Sequence, residues 1–277
     1  MRWIGILFFL FSVGLFAQTK PSKVQVAEAL GDTLFNREDF VGALKQYNKV
    51  AKATKLKTVQ QRQILYKRAV CLFYLGEFDQ ALADLKVFIP ENQSLPRARI
   101  LRAFIYRELG ELQLQLDDLN QVLEWDAMNI DLLKWRAGLL VEMGENEQAL
   151  VELKAMKQWA TDEEVELYTG LAYYGLEKPD SALYHFDQSI LANGGYLPAY
   201  QYAGSVCLEQ GAFELALTYI NLALRLDGQN LELLFYKGVA LVELDRKEEG
   251  CRLLNKAFYK GIDDAGGYLE EYCFPKE

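Results

Sequence analysis

Apolar residues recur at helical spacing through most of the chain, in segments punctuated by glycine. One helix–turn–helix phrase returns several times: LGEFDQALADL from Leu75, LGELQLQLDDL from Leu109, MGENEQALVEL from Met143 and QGAFELALTYI from Gln210. Gly76, Gly110, Gly144 and Gly211 stand where the first helix of each pair must stop, and Pro179 is expected to do that work in the fifth repeat. The small residue that lets two helices approach falls at Ala43, Ala81, Gln115, Ala149, Ala182, Ala216 and Gly250. Successive spacings are 38, 34, 34, 33, 34 and 34 residues. The first interval carries four extra residues, which predicts a longer loop around residues 53–58.

A helix hairpin of this length cannot stand alone. Ordering 34 residues costs on the order of 50 kcal/mol at roughly 1.5 kcal/mol per residue. Offsetting that takes roughly 2,000 Å² of apolar burial at about 25 cal/mol per Å². Each repeat must therefore stack on its neighbours, and the array is expected to form a curved solenoid with an extended concave surface.

The period and the small and large positions resemble the tetratricopeptide repeat family. The resemblance covers roughly residues 24–264, with repeats starting near Val24, Arg62, Pro96, Ile130, Glu163, Leu197 and Leu231. The small residue of the first helix appears as Gly31, Ala69, Ala103, Ala137, Gly170, Gly204 and Gly238. The large residue of the second helix appears as Tyr47, Leu85, Leu119, Leu153, Phe186, Ile220 and Leu254. Gln115 departs from the usual alanine, and the proline that often ends a repeat is mostly missing. The resemblance implies an all-α, right-handed superhelical solenoid of about seven helix–turn–helix repeats. A C-terminal cap over residues 265–277 is expected, with a short helix from Asp263 to Tyr272 covering the last hydrophobic face through Tyr268, Leu269 and Tyr272.

The N-terminal segment does not share the repeat pattern. Met1-Arg2 precedes an apolar run from Trp3 to Phe16, too short for a comfortable bilayer span but suited to a secretory signal core. The expected division is a signal peptide over residues 1–17, cleaved after Ala17, and a short extension over 18–23 before the solenoid. Export, to the periplasm or outside a Gram-negative bacterium, would put the four cysteines in an oxidising setting. Cys251 lies in the second helix of repeat seven and Cys273 ends the cap, so these two are expected to form a disulfide that pins a terminal helix. Cys71 and Cys207 lie far apart in the array and are expected to be small buried hydrophobes.

The formal net charge of −9 sets nucleic acid and anionic membrane surfaces at a disadvantage. No nucleophile elbow, phosphate-cradling loop, HExxH or CxxC motif occurs, no metal-ligand set converges, and no cofactor is implied. The single histidine, His185, has no catalytic partner at a recognisable spacing and reads as surface or packing. Acidic neighbours such as Asp117-Asp118 and Glu163-Glu164 read as solvated faces or helix-start charges, because adjacent helical residues point about 100° apart.

Binding is the function left. In the family the concave face is lined by the second, fifth, ninth, twelfth and thirteenth positions of each first helix. Carried onto this chain, they nominate Tyr66, Phe73, Tyr74, Arg97, Phe104, Arg107, Lys134, Leu171, Tyr174 and Gln201 as partner-contacting residues. Glu28, Asp32 and Asn36 would make the N-terminal end of the groove acidic. The Lys and Asn arrangement with which chaperone-tail-binding members clamp a carboxylate is missing, since its positions read Glu28/Asp32, Tyr66/Val70, Ile100/Phe104 and Lys134/Gly138. These readings predict a non-catalytic scaffold for an apolar or aromatic segment carrying acidic residues near Arg97, Arg107 or Lys134. The alternative use of the same groove is as a small-ligand or glycan receptor.

Overall fold

The computed structural model describes residues 21–159 and 162–274. The expected signal segment and the last three residues of the expected cap lie outside the described residues. The chain is all-α and divides into two compact units at Leu109/Gly110. The N-terminal unit contains α1 (Lys23–Phe35), α2 (Phe40–Thr54), α3 (Val59–Tyr74), α4 (Phe78–Glu91) and α5 (Pro96–Glu108). The C-terminal unit contains α6 (Leu112–Leu123), α7 (Ile130–Glu142), α8 (Asn146–Met156), α9 (Glu163–Gly175), α10 (Pro179–Ala192), α11 (Leu197–Glu209), α12 (Phe213–Leu226), α13 (Leu231–Glu243), α14 (Lys247–Tyr259) and α15 (Ala265–Tyr268). A π-helical turn, Leu269–Cys273, follows. Inside each unit, consecutive helices pack as helix–turn–helix pairs, and each pair packs on the next.

Local chemistry sets the helix ends. Ser22 with Gln25, and Thr58 with Gln61, form capping boxes at the starts of α1 and α3. Asn129, Asp162 and Asn230 cap α7, α9 and α13 with their side chains. The turn inside each pair is closed by one residue in the left-handed region, and this position recurs through the whole array. Gly76, Gly110, Gly144 and Gly211 hold φ between +70° and +79°, while Glu38, Glu177 and Asp245 take the same register at φ of 61°, 57° and 59°. The next amide then bonds back across the turn, as Glu77 does to the Leu72 carbonyl and Lys178 to that of Tyr173. Glu177, rather than Pro179, therefore stops the first helix of the fifth repeat. Pro179 opens α10, where its missing N–H leaves no bond unmade.

Within each unit the core is an interlock between the small residue of a first helix and the large residue sixteen positions later. A Cβ added at Gly31 would lie 2.5 Å from the Tyr47 ring, and one at Gly170 would lie 2.5 Å from the Phe186 ring. Tyr47 and Phe186 are fully buried, as are the Ala69, Leu85, Ala137 and Leu153 side chains at the matching positions of other repeats. Glycine thus faces the two aromatic knobs, and also Ile220 and Leu254 through Gly204 and Gly238, while Ala69 and Ala137 stand opposite leucine.

The structure also corrects three local expectations. The helix α2 runs through Thr54, so the longer connection is residues 55–58, where Lys55 and Leu56 both turn left-handed. Asp118 is not solvated: it is 1% exposed, whereas Asp117 is exposed. It shares its register with Asp84 and Glu152, and those two are ion-paired at 2.9 Å to Arg68 and Arg136, sixteen residues earlier. The cap's regular α-helix is only Ala265–Tyr268, continued by the π-helical turn. Ala265 and Leu269 bury against Phe235, Val239, Leu254 and Ala257, and a Cys251–Cys273 disulfide with Cα atoms 5.7 Å apart ties the turn to α14. Cys71 and Cys207 are buried thiols.

Candidate binding grooves

In the N-terminal unit, α3 and α5 turn one face each toward a common groove of about 480 Å³. Its α3 wall is Tyr66, Val70, Phe73 and Tyr74, and its α5 wall is Arg97, Ile100, Phe104 and Arg107, with buried Leu101 at the base. The spacings are those of one helical stripe on each element. Tyr66, Phe73 and Phe104 are half-buried, whereas Tyr74 is 59% exposed. Phe73 lies between its aromatic neighbours, 5.6 Å from the Tyr74 ring and 6.4 Å from that of Phe104. The Arg97 guanidinium sits 4.7 Å from the Tyr66 ring centroid and the Arg107 guanidinium 5.0 Å from that of Phe104. Ten residues of helix separate the two arginines, which puts them about 15 Å apart along the axis.

A second cavity, of about 350 Å³, shares Tyr66 and Val70 and reaches α1 through Asp32, Phe35 and Asn36. Its acidic groups are internally compensated. The Lys67 ammonium lies 2.8 Å from Asp32 and 2.9 Å from Glu28, and the Tyr47 hydroxyl donates to Asp32 at 2.8 Å. Lys67 stands one position after the groove-lining Tyr66, so the positional rule that nominated Glu28 and Asp32 did not include it.

Six of the ten nominated residues line the α3/α5 groove. The other four, Lys134, Leu171, Tyr174 and Gln201, belong to the C-terminal unit and lie outside that groove. Lys134 does not offer its charge to a partner. Its ammonium is 2.6 Å from Asp162 and 2.7 Å from Glu164, and the side chain is only 13% exposed. Burial pulls the ammonium pKa down, but these two carboxylates outweigh it and raise the pKa above the usual lysine value. Leu171 is half-buried against the cluster around Leu167, Phe186 and Ala203. The Tyr174 hydroxyl donates to Glu209.

Gln201 opens onto another groove. It lines a cavity of about 270 Å³ with Pro198, Tyr202, Ser205, Glu232 and Tyr236. Ser205 and Tyr236 also line an adjoining cavity of about 340 Å³ with Glu209, Phe213, Phe235, Val239, Glu243 and Tyr268. The same positional rule, applied from Leu231, yields Glu232, Phe235, Val239 and Glu243. Tyr236 donates to Glu232 at 2.9 Å and Tyr272 to Glu243 at 2.6 Å. Burial, that bond and the fields of Glu209 and Asp264 push the Tyr236 phenol up to about 12.

His185 is held in an internal ion cluster. Its Nδ1 lies 2.7 Å from Glu166 Oε2, which also takes the Lys157 ammonium at 2.7 Å, and the ring stacks on Tyr173 at 5.3 Å. Burial would raise the Glu166 carboxyl, but the bonds from His185 and Lys157 hold it below its ordinary value. No group of three or more His, Cys, Asp or Glu among the described residues is placed to hold a metal ion, and no described helix is long and apolar enough to cross a membrane.

Comparison with known proteins agrees with this architecture. No family profile matches the chain. A stretch of 160 residues, 58% of the chain, is 24% identical to tetratricopeptide repeat protein 6 of Homo sapiens, and the match spans 31% of that protein's length. Among solved structures, a tetratricopeptide repeat protein from Parabacteroides merdae superimposes with a TM-score of 0.73 at 16% identity, covering 89% of this chain and 97% of that one. The C-terminal part of a repeat protein from Cytophaga hutchinsonii gives 0.62 at 17% identity, covering 85% and 96%. The pilF protein of Pseudomonas aeruginosa gives 0.59 at 19% identity, covering 76% and 97%. The resemblance read from the repeats therefore holds in both comparisons, and the fold is the tetratricopeptide-repeat fold.

Proposed function

We propose that this chain is a non-catalytic scaffold that holds a segment of a partner protein in the α3/α5 groove. One observation carries the reading: aromatic walls from two neighbouring first helices flank an apolar base, with Arg97 and Arg107 at either end. Aromatic side chains and arginine concentrate binding energy when a partner excludes water around them. The complementary segment is apolar or aromatic and carries acidic residues about 15 Å apart, matching the two guanidinium groups. Lys134 is dropped from the contact set because two carboxylates enclose it and its side chain is only 13% exposed. Arg107, though paired with Glu108 at 3.1 Å, is 49% exposed and stays within a partner's reach.

We place the scaffold in an exported compartment, periplasmic or extracellular, of a Gram-negative bacterium. The Cys251–Cys273 disulfide supports this reading, since such bonds persist where the surroundings are oxidising.

The test is affinity capture from the envelope or medium of the native organism. The full chain would be run beside an Arg97→Glu/Arg107→Glu variant and a Phe104→Ser variant, each checked for its helical spectrum. A protein retained by the parent and lost by both variants is the expected outcome. Identical retention by all three would remove this groove as a docking face. Stabilisation of the parent by a small ligand or sugar, with no protein captured, would favour the receptor reading.

A further inference from the structure

The groove between α11 and α13 in the C-terminal unit has a charge opposite to that of the α3/α5 groove. Glu209, Glu232 and Glu243 line it, and all three are exposed. Each accepts a hydrogen bond from a tyrosine hydroxyl: Glu209 from Tyr174, Glu232 from Tyr236 and Glu243 from Tyr272. Among the described residues none of the three has a lysine or arginine partner. This contrasts with the acids around Lys67 and Lys134, which are neutralised by the fold itself. Tyrosine hydroxyls orient the carboxylates but supply no positive charge, so the site keeps its full negative field. The half-buried rings of Tyr236 and Tyr268 line the same space and offer their faces to a cation.

Distance then selects the kind of cation. Glu232 and Glu243 stand eleven residues apart on α13, about 16 Å along the axis, and nearly on one face because eleven residues make three turns plus about 20°. A single small cation cannot meet both. An extended chain rises about 3.3 Å per residue and alternates its side chains, so residues four apart share a face and span about 13 Å. Long cationic side chains reach across the remaining 3 Å or so.

We infer that the α11/α13 groove is a second docking site, for a basic segment bearing arginine or lysine at positions four apart with apolar residues between them. Coulomb attraction to Glu232 and Glu243 sets its register, and the aromatic walls of the two adjoining cavities take the intervening side chains. The site uses none of the residues of the α3/α5 groove and does not depend on the reading given to that groove.

Fluorescence anisotropy tests this with a labelled eight-residue peptide carrying arginine at its second and sixth positions. A counterpart carries glutamate at those positions, and arginine amide serves as an unlabelled competitor. The arginine peptide should bind the full chain saturably and weaken as salt is raised, while the glutamate peptide should not bind. A Glu232→Gln/Glu243→Gln variant should bind the arginine peptide at least tenfold more weakly, and an Arg97→Gln/Arg107→Gln variant should bind it as the parent does. Both glutamines replace exposed carboxylates with side chains of the same shape, and a far-UV spectrum checks that the helices persist. The inference is overturned by absent saturable binding, by equal binding of the two peptides, or by a loss under tenfold in the glutamine variant. Displacement by arginine amide at the peptide's own affinity would also overturn it, because the groove would then read one cation and not a segment.

Discussion

Gly170 is the sharpest test of the packing logic. Its Cα leaves room for Phe186, whose ring would lie 2.5 and 2.7 Å from an added Cβ, with the Ala182 carbonyl oxygen at 3.1 Å. Carbon atoms pack comfortably at about 3.5–4.0 Å, so the Phe186 ring would have to retreat by roughly 1 Å. That ring is completely buried, and overpacking of this kind costs about 1–3 kcal/mol. Alanine recovers up to about 1 kcal/mol through its better helix propensity. Gly170→Ala should therefore destabilise by about 1–2 kcal/mol. Phe186→Leu alone leaves a void against glycine and should cost a similar amount. Together they recreate the Ala-against-Leu pairing that Ala137 and Leu153 use two helices earlier. The double variant should be less destabilised than the sum of the singles by about 2 kcal/mol, a coupling typical of residues in contact. Urea unfolding followed by far-UV circular dichroism gives the totals. Hydrogen exchange at the α9 and α10 amides keeps the comparison local, because repeat arrays need not unfold as one unit. Effects that add to within about 0.3 kcal/mol would refute the interlock.

Replacing Cys251 with serine opens a loop of 22 residues and should remove about 3 kcal/mol from the cap, with little change in the N-terminal unit. Limited proteolysis with and without reductant reads this directly, and identical cleavage patterns would count against it. Asp84 supplies a pH signature: burial pushes its carboxyl up to about 6 despite the Arg68 guanidinium beside it. The folded chain therefore holds that proton more tightly than the unfolded chain, whose carboxyl titrates near 3.9. The contribution is complete below about pH 4 and lost as pH rises through 6. Denaturation across that window should show the parent losing up to about 3 kcal/mol relative to its own acid-side value, and Asp84→Asn should flatten the slope. Equal slopes would place the Asp84 carboxyl near its ordinary value.

Much of the architecture is legible in the sequence because it rests on short-range regularities. The small residues at Gly31, Gly170, Gly204 and Gly238, and the large ones sixteen positions later, mark the interlock in the sequence itself. Glycine at 76, 110, 144 and 211 announces a left-handed turn because that conformation carries no Cβ penalty there. Where Glu38, Glu177 and Asp245 take the same conformation, residue type is silent and only register reveals the stop. Glu177 therefore makes the stop that the sequence offers at the neighbouring Pro179. Positional rules found the α3/α5 groove for a similar reason, since Tyr66, Phe73, Arg97, Phe104 and Arg107 repeat on one face of each helix.

Charge compensation obeyed no such rule. Lys134 and Arg97 look alike in the sequence, yet one ammonium is enclosed by Asp162 and Glu164 from the start of α9 and the other guanidinium lies over a tyrosine ring. Asp117 and Asp118 are neighbours with opposite fates, exposed and buried, because their helix turns about 100° between them. Periodicity along the chain decided where helices begin, stop and interlock, since those outcomes depend on residues within one repeat. Tertiary structure alone decided which charges stay available to a partner, because pairing depends on which side chains the stacking of separate helices brings within about 3 Å.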